Sequence, residues 1–256
     1  TGNLVGNNAE NGEENTEHWR RIKICRGHNL DVVGVAWAPD DSHLVTCSLD
    51  SETPIIVWKL DDLVAHHHQH HSTKMICSPF KILGKGVHTS TVKGVTFDPA
   101  GSYLASSADD PAICIWRAYD DWGLERRIDS STGIFRSGKK NASGSNTDNG
   151  EAPAAELANL SLFRRISWST DGTHVCGTNA TIRGKNVASM VSREGWAVSG
   201  EKATSAAGAA NLVGHKQPVV CSRHCPYLMD ATKKHGSDEE GGDDEHREPE
   251  YSTLLA

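Results

Sequence analysis

The sequence has no long apolar run and contains few aromatic residues, Pro and Met. Aromatic residues make up 6% of its 256 residues, and it contains only 9 Pro and 3 Met. No apolar run approaches the roughly 20 residues that a membrane-spanning helix needs, so we expect no membrane segment. The first Met is Met75. We therefore expect the chain to be part of a longer protein or the product of a truncated gene model.

Cysteine is present, but without the spacing of a disulfide framework. The number is odd, at seven: Cys25, Cys47, Cys77, Cys114, Cys176, Cys221 and Cys225. Cys47 and Cys114 fall inside apolar strand-like runs, where Cys behaves as a small buried hydrophobic residue. The pattern favours reduced thiols and a reducing compartment.

Excess charge is confined to one segment. The formal net charge is −7, and residues 238–250 alone hold 8 acidic residues and 1 Arg, so the remainder carries 25 acidic and 25 basic residues. A neutral body gives no basis for predicting direct attraction to DNA or to a membrane surface.

Two stretches, residues 28–58 and 88–116, are close copies of each other. Each begins with His and continues with Val-x-Gly-Val-x-aromatic-x-Pro, then Ser-x-Leu, small hydroxyl residues, an Asp and a closing Trp. A repeated unit of this size cannot bury its own hydrophobic face, so the repeat predicts an array of stacked units.

Each copy predicts four short strands joined by turns. The expected strands are 32–37, 44–48, 55–58 and 76–83 in the first copy, and 92–97, 104–107, 113–116 and 124–128 in the second. A half-buried strand over 19–25 precedes them, because apolar and polar residues alternate there. Four antiparallel strands per unit are typical of a β-propeller blade, which predicts an all-β, WD40-type fold.

The remaining chain predicts two weaker units and three insertions. We expect a low-complexity linker or loop over 1–17 and a partial propeller over 18–256, with about three to four of some seven blades. The blade units lie near 28–84, 88–129, 160–200 and 214–256, the last of them truncated, with a strand resuming over 251–256. Low-complexity insertions occupy 61–74, 130–159 and 230–250.

The recurring polar residues predict a buried network in each blade. A Trp indole N–H needs an acceptor, a hydroxyl supplies it and also serves the imidazole, and an Asp accepts from the other imidazole nitrogen. The sets are His28, Thr46 or Ser48, Asp50 and Trp58, and His88, Ser106 or Ser107, Asp110 and Trp116. Of the alternative hydroxyls, we choose Ser48 and Ser107.

Catalytic and metal sites are weaker alternatives. His28, Ser48 and Asp50 have the residue types of a hydrolase triad, but the same types recur in the next unit and no Gly-x-Ser-x-Gly turn is present. The histidine run at 66–71 could bind Zn²⁺ or Ni²⁺, as could Cys221, His224 and Cys225. The histidine run lies in an insertion and has no carboxylate at an obvious spacing to orient its imidazoles. The Cys221 group has no second ligand pair at zinc-ribbon spacing. We therefore expect no catalytic residues, no metal and no cofactor.

Several motifs go beyond the general repeat. They are EHWRRIKICRGH, DVVGVAWAP, VKGVTFDPAGSYLASSADD, LFRRISWSTDG, REGW and LVGHKQPV, in that order. Over roughly 18–129, 160–198 and 211–256 the chain resembles the N-terminal propeller of the HIRA/Hir histone-chaperone subunits. FRRISWS, REGW and GHKQPV carry the most weight, because a WD40 repeat does not require them.

The resemblance implies a nuclear, non-enzymatic scaffold for replication-independent nucleosome assembly and transcriptional repression. It implies a ubinuclein/Hpc-like subunit, other histone-chaperone subunits and core histones as partners, with DNA reached only through chromatin. It does not specify the partner-binding residues. Two alternatives remain open: the propeller subunit of the replication-coupled chromatin assembly factor, and a generic WD40 scaffold such as a ubiquitin-ligase substrate receptor.

The acidic run at 238–250 has two interpretations. Such runs are common in solvated loops, which is the interpretation we favour. The alternative hypothesis is that it adds weak, salt-sensitive affinity for basic histones. Deleting the run and titrating histone binding against salt tests this, and an unchanged salt slope contradicts it.

Overall fold

The computed structural model describes residues 21, 23–61, 76–110, 112–129, 161–182, 185–196, 211–227, 229–230 and 251–252. The predicted linker at 1–17, the histidine run at 66–71, the insertion at 130–159 and the acidic run at 238–250 lie outside these residues. In the described part of the chain, no helix has the length and apolar character needed to cross a membrane.

The described chain is built of short strands. They are β1 (Ile24–Cys25), β2 (Val32–Trp37), β3 (His43–Ser48), β4 (Ile55–Lys59), β5 (Ile76–Cys77), β6 (Lys81–Leu83), β7 (Val92–Phe97), β8 (Tyr103–Ala108), β9 (Ile113–Arg117), β10 (Gly123–Ile128), β11 (Ser167–Trp168), β12 (His174–Ile182), β13 (Lys185–Ser192), β14 (Asn211–Val213), β15 (Met229–Asp230) and β16 (Tyr251–Ser252).

Twelve of these strands form three four-stranded antiparallel sheets, which we name blades I, II and III. Blade I has the order β2-β3-β4-β6, blade II has β7-β8-β9-β10, and blade III has β11-β12-β13-β14. In blades I and II neighbouring strands follow one another along the chain, except where β5 intervenes. The predicted all-β architecture of antiparallel four-stranded blades is confirmed.

The structure differs from two predicted boundaries. The expected single strand over 76–83 is divided into β5 and β6, because Pro79 lies between them and has no N–H to donate to a ladder. Only β6 joins blade I, while β5 pairs in parallel with β1. The third unit does not end near 200, since its fourth strand, β14, pairs with β13 beyond residues 197–210.

The strands expected nearest the two ends of the chain are represented by short strands. Of the strand expected over 19–25, the structure describes β1. Of the strand expected over 251–256, it describes β16, which is antiparallel to β15. Asp230 belongs to β15, so the insertion that we placed at 230–250 begins after it.

The core lies between neighbouring blades, because the two faces of each sheet are apolar. Successive residues of β4 alternate between faces. Ile55 and Val57 pack towards blade II, in a cluster that also contains Trp116, whereas Ile56 and Trp58 pack on the opposite face with Cys77. A second core, which includes Ile113 and Trp168, fills the space between blades II and III.

A β-bulge recurs at the same glycine in blades I and II. The pairing of β2 with β3 shifts between Val32 and Gly34, and that of β7 with β8 shifts between Val92 and Gly94. At Gly94 another segment approaches closely, since an added Cβ would lie 2.0 Å from the carbonyl oxygen of Arg164. Only glycine permits this contact between blade II and the start of blade III.

Candidate functional site

The polar network of blade I centres on Thr46. The indole N–H of Trp58 donates to Thr46 Oγ1 over 2.9 Å, and His28 Nε2 lies 2.7 Å from the same oxygen. His28 Nδ1 is 2.7 Å from the carbonyl oxygen of Thr53, which can only accept. The proton of the ring therefore lies on Nδ1, and the Thr46 hydroxyl donates to Nε2.

Blade II repeats the arrangement around Ser106. The indole N–H of Trp116 donates to Ser106 Oγ over 2.9 Å, and His88 Nε2 lies 2.9 Å from that oxygen. His88 Nδ1 faces Asp110 Oδ1 at 3.0 Å. His88, Ser106, Asp110 and Trp116 are all buried, so each hydrogen bond is shielded from water.

The hydroxyls chosen from sequence, Ser48 and Ser107, are wrong for the central position. Strand pairing sets Leu44 opposite Trp58, so Thr46 is the diagonal neighbour that the indole reaches and Ser48 lies a further two residues along the strand. Ser48 instead donates to the carbonyl of Leu30 and accepts the N–H of Asp50. Ser107 points to the other face of β8 and donates to the Arg164 carbonyl over 2.6 Å.

The two aspartates hold their turns in different ways. Asp50 does not contact His28; it accepts from the Thr53 hydroxyl and from the backbone N–H groups of Glu52 and Asn29, and these bonds hold the pKa of its carboxyl well below the ordinary value. Burial acts to raise the pKa of Asp110, but the hydrogen bond from His88, with further bonds from Thr89 and Arg127, holds it below the ordinary value.

These contacts give the repeated polar residues a structural task. Each central hydroxyl accepts from a Trp, and it donates to the imidazole nitrogen that would otherwise act as a base. Burial lowers the pKa of His28, which favours the neutral ring that this hydrogen-bond pattern needs. The arrangement fixes three strands and the turn before β2 or β7 in one geometry.

The FRR motif ties blade III to blade II. Arg164 is 2% exposed, and its Nε lies 3.5 Å from Asp109 Oδ1. Lys93 Nζ lies 2.5 Å from Asp109 Oδ2, and the Arg164 backbone N–H donates to the Lys93 carbonyl. Arg164 also donates through Nη1 to the carbonyl of Val219, over 3.4 Å, which reaches the fourth unit.

The REGW motif folds back onto blade II. Arg193 Nη1 lies 3.2 Å from Asp98 Oδ2, and its guanidinium lies over the ring of Tyr103 at 4.9 Å. The Trp196 ring contacts the rings of Tyr103 and Trp168, with centroid distances of 5.4 and 6.0 Å. We call Tyr103, Trp168, Arg193 and Trp196 the seam between blades II and III.

The start of the fourth unit lies against blade III. Arg165 and Cys221 form a parallel bridge, in which the Arg165 N–H donates to the Val220 carbonyl over 2.9 Å. His224, one of the three residues of the weaker metal alternative, contacts Ser167 Oγ through Nδ1 at 2.9 Å. Among the described residues, no three or more His, Cys, Asp or Glu side chains converge to hold a metal ion.

A cavity of about 610 Å³ lies beside the innermost strands of the three blades. Its lining includes Trp37, Lys93, Arg165 and His224, from blades I, II and III and from the fourth unit. This is the side of the sheets that faces the central channel in a propeller.

Sequence reasoning singled out FRR and REGW but assigned them no contacts. It missed their acidic partners, Asp109 and the buried Asp98, because both lie in turns where Asp is common for local reasons. The spacing of Asp98, one residue after Phe97 and directly before a Pro-x-Gly turn, carries no sign of the distant Arg193.

Comparisons with known proteins agree with the repeat pattern. The family described as "WD domain, G-beta repeat" matches residues 19–52 and 81–117. The chain is 33% identical to Protein HIR1 of Mycosarcoma maydis over 88% of this chain and 17% of the relative, and 30% identical to Protein hir1 of Schizosaccharomyces pombe over 88% and 19%. It thus spans less than a fifth of the length of these curated relatives.

A similar relative occurs in Cryptococcus neoformans, whose Protein HIR1 is 33% identical over 85% of this chain and 19% of the relative. Among solved structures, the crystal structure of the RRP9 WD40 repeats aligns with a TM-score of 0.47 and 15% identity, over 77% of this chain and 43% of that chain.

Proposed function

Because the chain belongs to the HIR family as a WD40-repeat segment, we propose that it is the scaffold of a histone-chaperone complex that assembles nucleosomes independently of replication. The proposed task is to bind protein partners and to contribute to transcriptional regulation in the nucleus. WD40 repeats and the HIR relationship point to a non-catalytic protein.

The observation that carries this proposal is that the FRR and REGW motifs form contacts between blades II and III. A general WD40 blade needs the His, hydroxyl, Asp and Trp network, and blades I and II satisfy it without either motif. Arg164 and Arg193 instead pair with acidic residues of blade II, at 3.5 and 3.2 Å. They define a particular geometry between blades II and III, in the residues that resemble HIR proteins.

The proposed partners are a ubinuclein/Hpc-like subunit, other histone-chaperone subunits and core histones, bound directly or through the complex. Contact with DNA is proposed to be indirect, through chromatin. The partners are expected to dock on loops at the ends of the blades, because loops carry recognition on a rigid scaffold.

Affinity purification of the protein from cells, with identification of the co-purifying subunits, tests the proposal. Core histones together with a ubinuclein-like subunit are the expected result. Recovery of a cullin adaptor, or of the subunits of the replication-coupled assembly factor, contradicts it in favour of one of those two complexes.

Two single variants test whether partner binding depends on the seam. Arg193→Ala removes the contact to Asp98, whereas Glu194→Ala changes an exposed neighbour in the same turn. If partner binding depends on the geometry between blades II and III, the first variant recovers less of the partner and the second recovers as much as the wild type.

A further inference from the structure

Two cysteines from distant parts of the chain lie opposite each other in β1 and β5. The two strands are parallel, and their register pairs Cys25 with Cys77. The Arg26 N–H donates to the Cys77 carbonyl over 3.2 Å, which fixes the strands beside this pair. Neighbouring strands lie about 4.8 Å apart, which falls inside the Cα separation of roughly 4.4–6.8 Å that a disulfide spans.

The pair differs from the buried cysteines of the blades in two ways: solvent reaches one of its thiols, and a second cysteine lies beside it. Cys25 is exposed, while Cys77 is 6% exposed and packs against Ile56 and Trp58. Burial raises the pKa of Cys25, and its electrostatic interaction with Cys77 raises it further. Burial also raises the pKa of Cys114 to about 12, without a second cysteine among its causes.

We propose that Cys25 and Cys77 are a redox-modification site, whose two thiols join in a reversible disulfide when the protein meets a hydroperoxide. The site adjoins Trp58 of the blade I network through Cys77 and is separate from the seam. The proposal is based on the register of β1 and β5 and on the exposure of Cys25. It does not depend on which partners the scaffold binds.

The chemistry follows from which thiol the solvent reaches. The Cys25 thiolate attacks one oxygen of the hydroperoxide, the O–O bond breaks, and Cys25 becomes a sulfenic acid as the other oxygen leaves as water or an alcohol. The Cys77 sulfur then attacks the Cys25 sulfur, and the sulfenic oxygen leaves as water. Two thiols lose two electrons and two protons, and the two oxygens of the hydroperoxide take up all four as one becomes water and the other becomes water or an alcohol.

The disulfide constrains blade I. It joins the strand before β2 to the strand before β6, so all of β2, β3 and β4 lie within the closed loop. Closing a loop of this length restricts the unfolded chain, and the oxidised protein is therefore expected to unfold at a temperature several degrees above that of the reduced protein.

Peptide mapping tests the proposal. The 256-residue chain is treated with hydrogen peroxide, the remaining thiols are blocked with N-ethylmaleimide, and the protein is digested with trypsin. The expected product joins peptide 24–26 to peptide 75–81, is lighter by two hydrogen atoms than the two thiol peptides together, and is separated by dithiothreitol. Its rate of formation is expected to increase with pH, because the Cys25 thiolate is the attacking group.

Two variants make the result specific. Cys25→Ser, at an exposed position, is expected to abolish the cross-linked peptide and the rise in unfolding temperature. Cys221→Ser, which changes another exposed cysteine, is expected to leave both unchanged. Oxidation of Cys25 to a sulfinic acid, or its linkage to another cysteine while Cys77 is still alkylated, overturns the proposal.

Discussion

Single hydroxyl groups decide whether the large Trp residues of the blades can be buried. Trp58 and Trp116 are 2% and 4% exposed, and each indole N–H has a hydroxyl oxygen as its acceptor at 2.9 Å. A buried N–H without an acceptor costs more than the hydrogen bond contributes, so the hydroxyl offsets the desolvation of both the Trp and the His.

Ser106→Ala is therefore expected to destabilise the fold by about 1–3 kcal/mol, because Trp116 loses its acceptor and His88 loses its donor inside the core. Ser106→Thr is the matched control, since blade I has Thr46 at the equivalent position and makes the same two bonds. Urea unfolding of the three proteins gives the comparison. Equal losses in both variants contradict the role of the hydroxyl.

The stability of the blade I turn is expected to depend on pH through Asp50. Its pKa is lower in the folded than in the unfolded chain, so its contribution is present above about pH 4 and is lost as the pH falls through the folded value. The free-energy difference between the wild type and Asp50→Asn is expected to be largest near neutral pH and to shrink below about pH 4. The lowered pKa of His28 adds acid sensitivity from about pH 6.5 downward in both proteins.

Urea unfolding of both proteins from about pH 3 to about pH 7 measures this difference. A gap that stays constant over the whole range shows that the charge of Asp50 does not stabilise the turn.

At this scale the sequence identifies the types of residue but not always the partners. The repeat singles out His28, Asp50 and Trp58, yet it offers two hydroxyls in each unit. The diagonal reach of the indole selects between Thr46 and Ser48, and it depends on the register of β3 against β4. Register is a property of the paired strands, so one strand alone does not reveal it.

At the scale of the strands, the recurring bulge sets how closely blade III can approach blade II. Gly94 faces the Arg164 carbonyl, and the neighbouring Ser107 hydroxyl donates to that same oxygen over 2.6 Å. The bulge of β7 and the FRR motif are therefore parts of one contact, although 70 positions separate Gly94 from Arg164 in the sequence.

Gly94→Ala is expected to destabilise the chain by about 1–3 kcal/mol or more, since the new Cβ overlaps the Arg164 carbonyl, which accepts a hydrogen bond from Ser107. Gly34→Ala is the matched control in blade I. There the nearest atom to the added Cβ is the Cys47 sulfur, at 2.7 Å, which is the end of a side chain that can rotate. Thermal unfolding is expected to show the smaller loss for Gly34→Ala, and the reverse order contradicts the assignment.

The sequence predicts the first strands of blades I and II correctly, because the local alternation pattern and the observed strand pairing give the same boundaries. Val32–Trp37 and Val92–Phe97 have the bounds that alternation and the following Pro predict. The prediction fails at β5 and β14, where the strand boundaries are set by the neighbouring strand and not by the local sequence pattern. Ile76–Cys77 pairs with β1, from before the first repeat, and Asn211–Val213 pairs with β13 across residues outside the described chain.

For the whole molecule, the order of the blades gives each sheet two inequivalent faces. The face of blade II that carries Ser106 and Trp116 is covered by blade I, as the shared core of the two blades shows. The equivalent face of blade I carries Thr46 and Trp58, and β5 covers only its outer part, through Cys77. Its inner part is open, with Val35 65% and Trp37 52% exposed.

An open apolar face of this kind is expected to make the 256-residue chain self-associate. Val35→Thr places a hydroxyl of similar size on that face, and it is expected to reduce association while changing stability by less than about 0.5 kcal/mol. Val95→Thr is the matched control. Val95 pairs with Ser106 in blade II as Val35 pairs with Thr46 in blade I. Unlike Val35, Val95 packs against the core between the two blades. Val95→Thr is expected to lower stability without reducing association.

Sedimentation velocity over a range of concentrations, with urea unfolding of the same samples, separates the two effects. If Val35→Thr and Val95→Thr behave alike, the two faces are equivalent and blade I is covered in solution. If only Val35→Thr sediments as a smaller species, the exposed Trp face of blade I mediates the association. In each pair of blades, the Trp face of the later blade then packs against the opposite face of the earlier one.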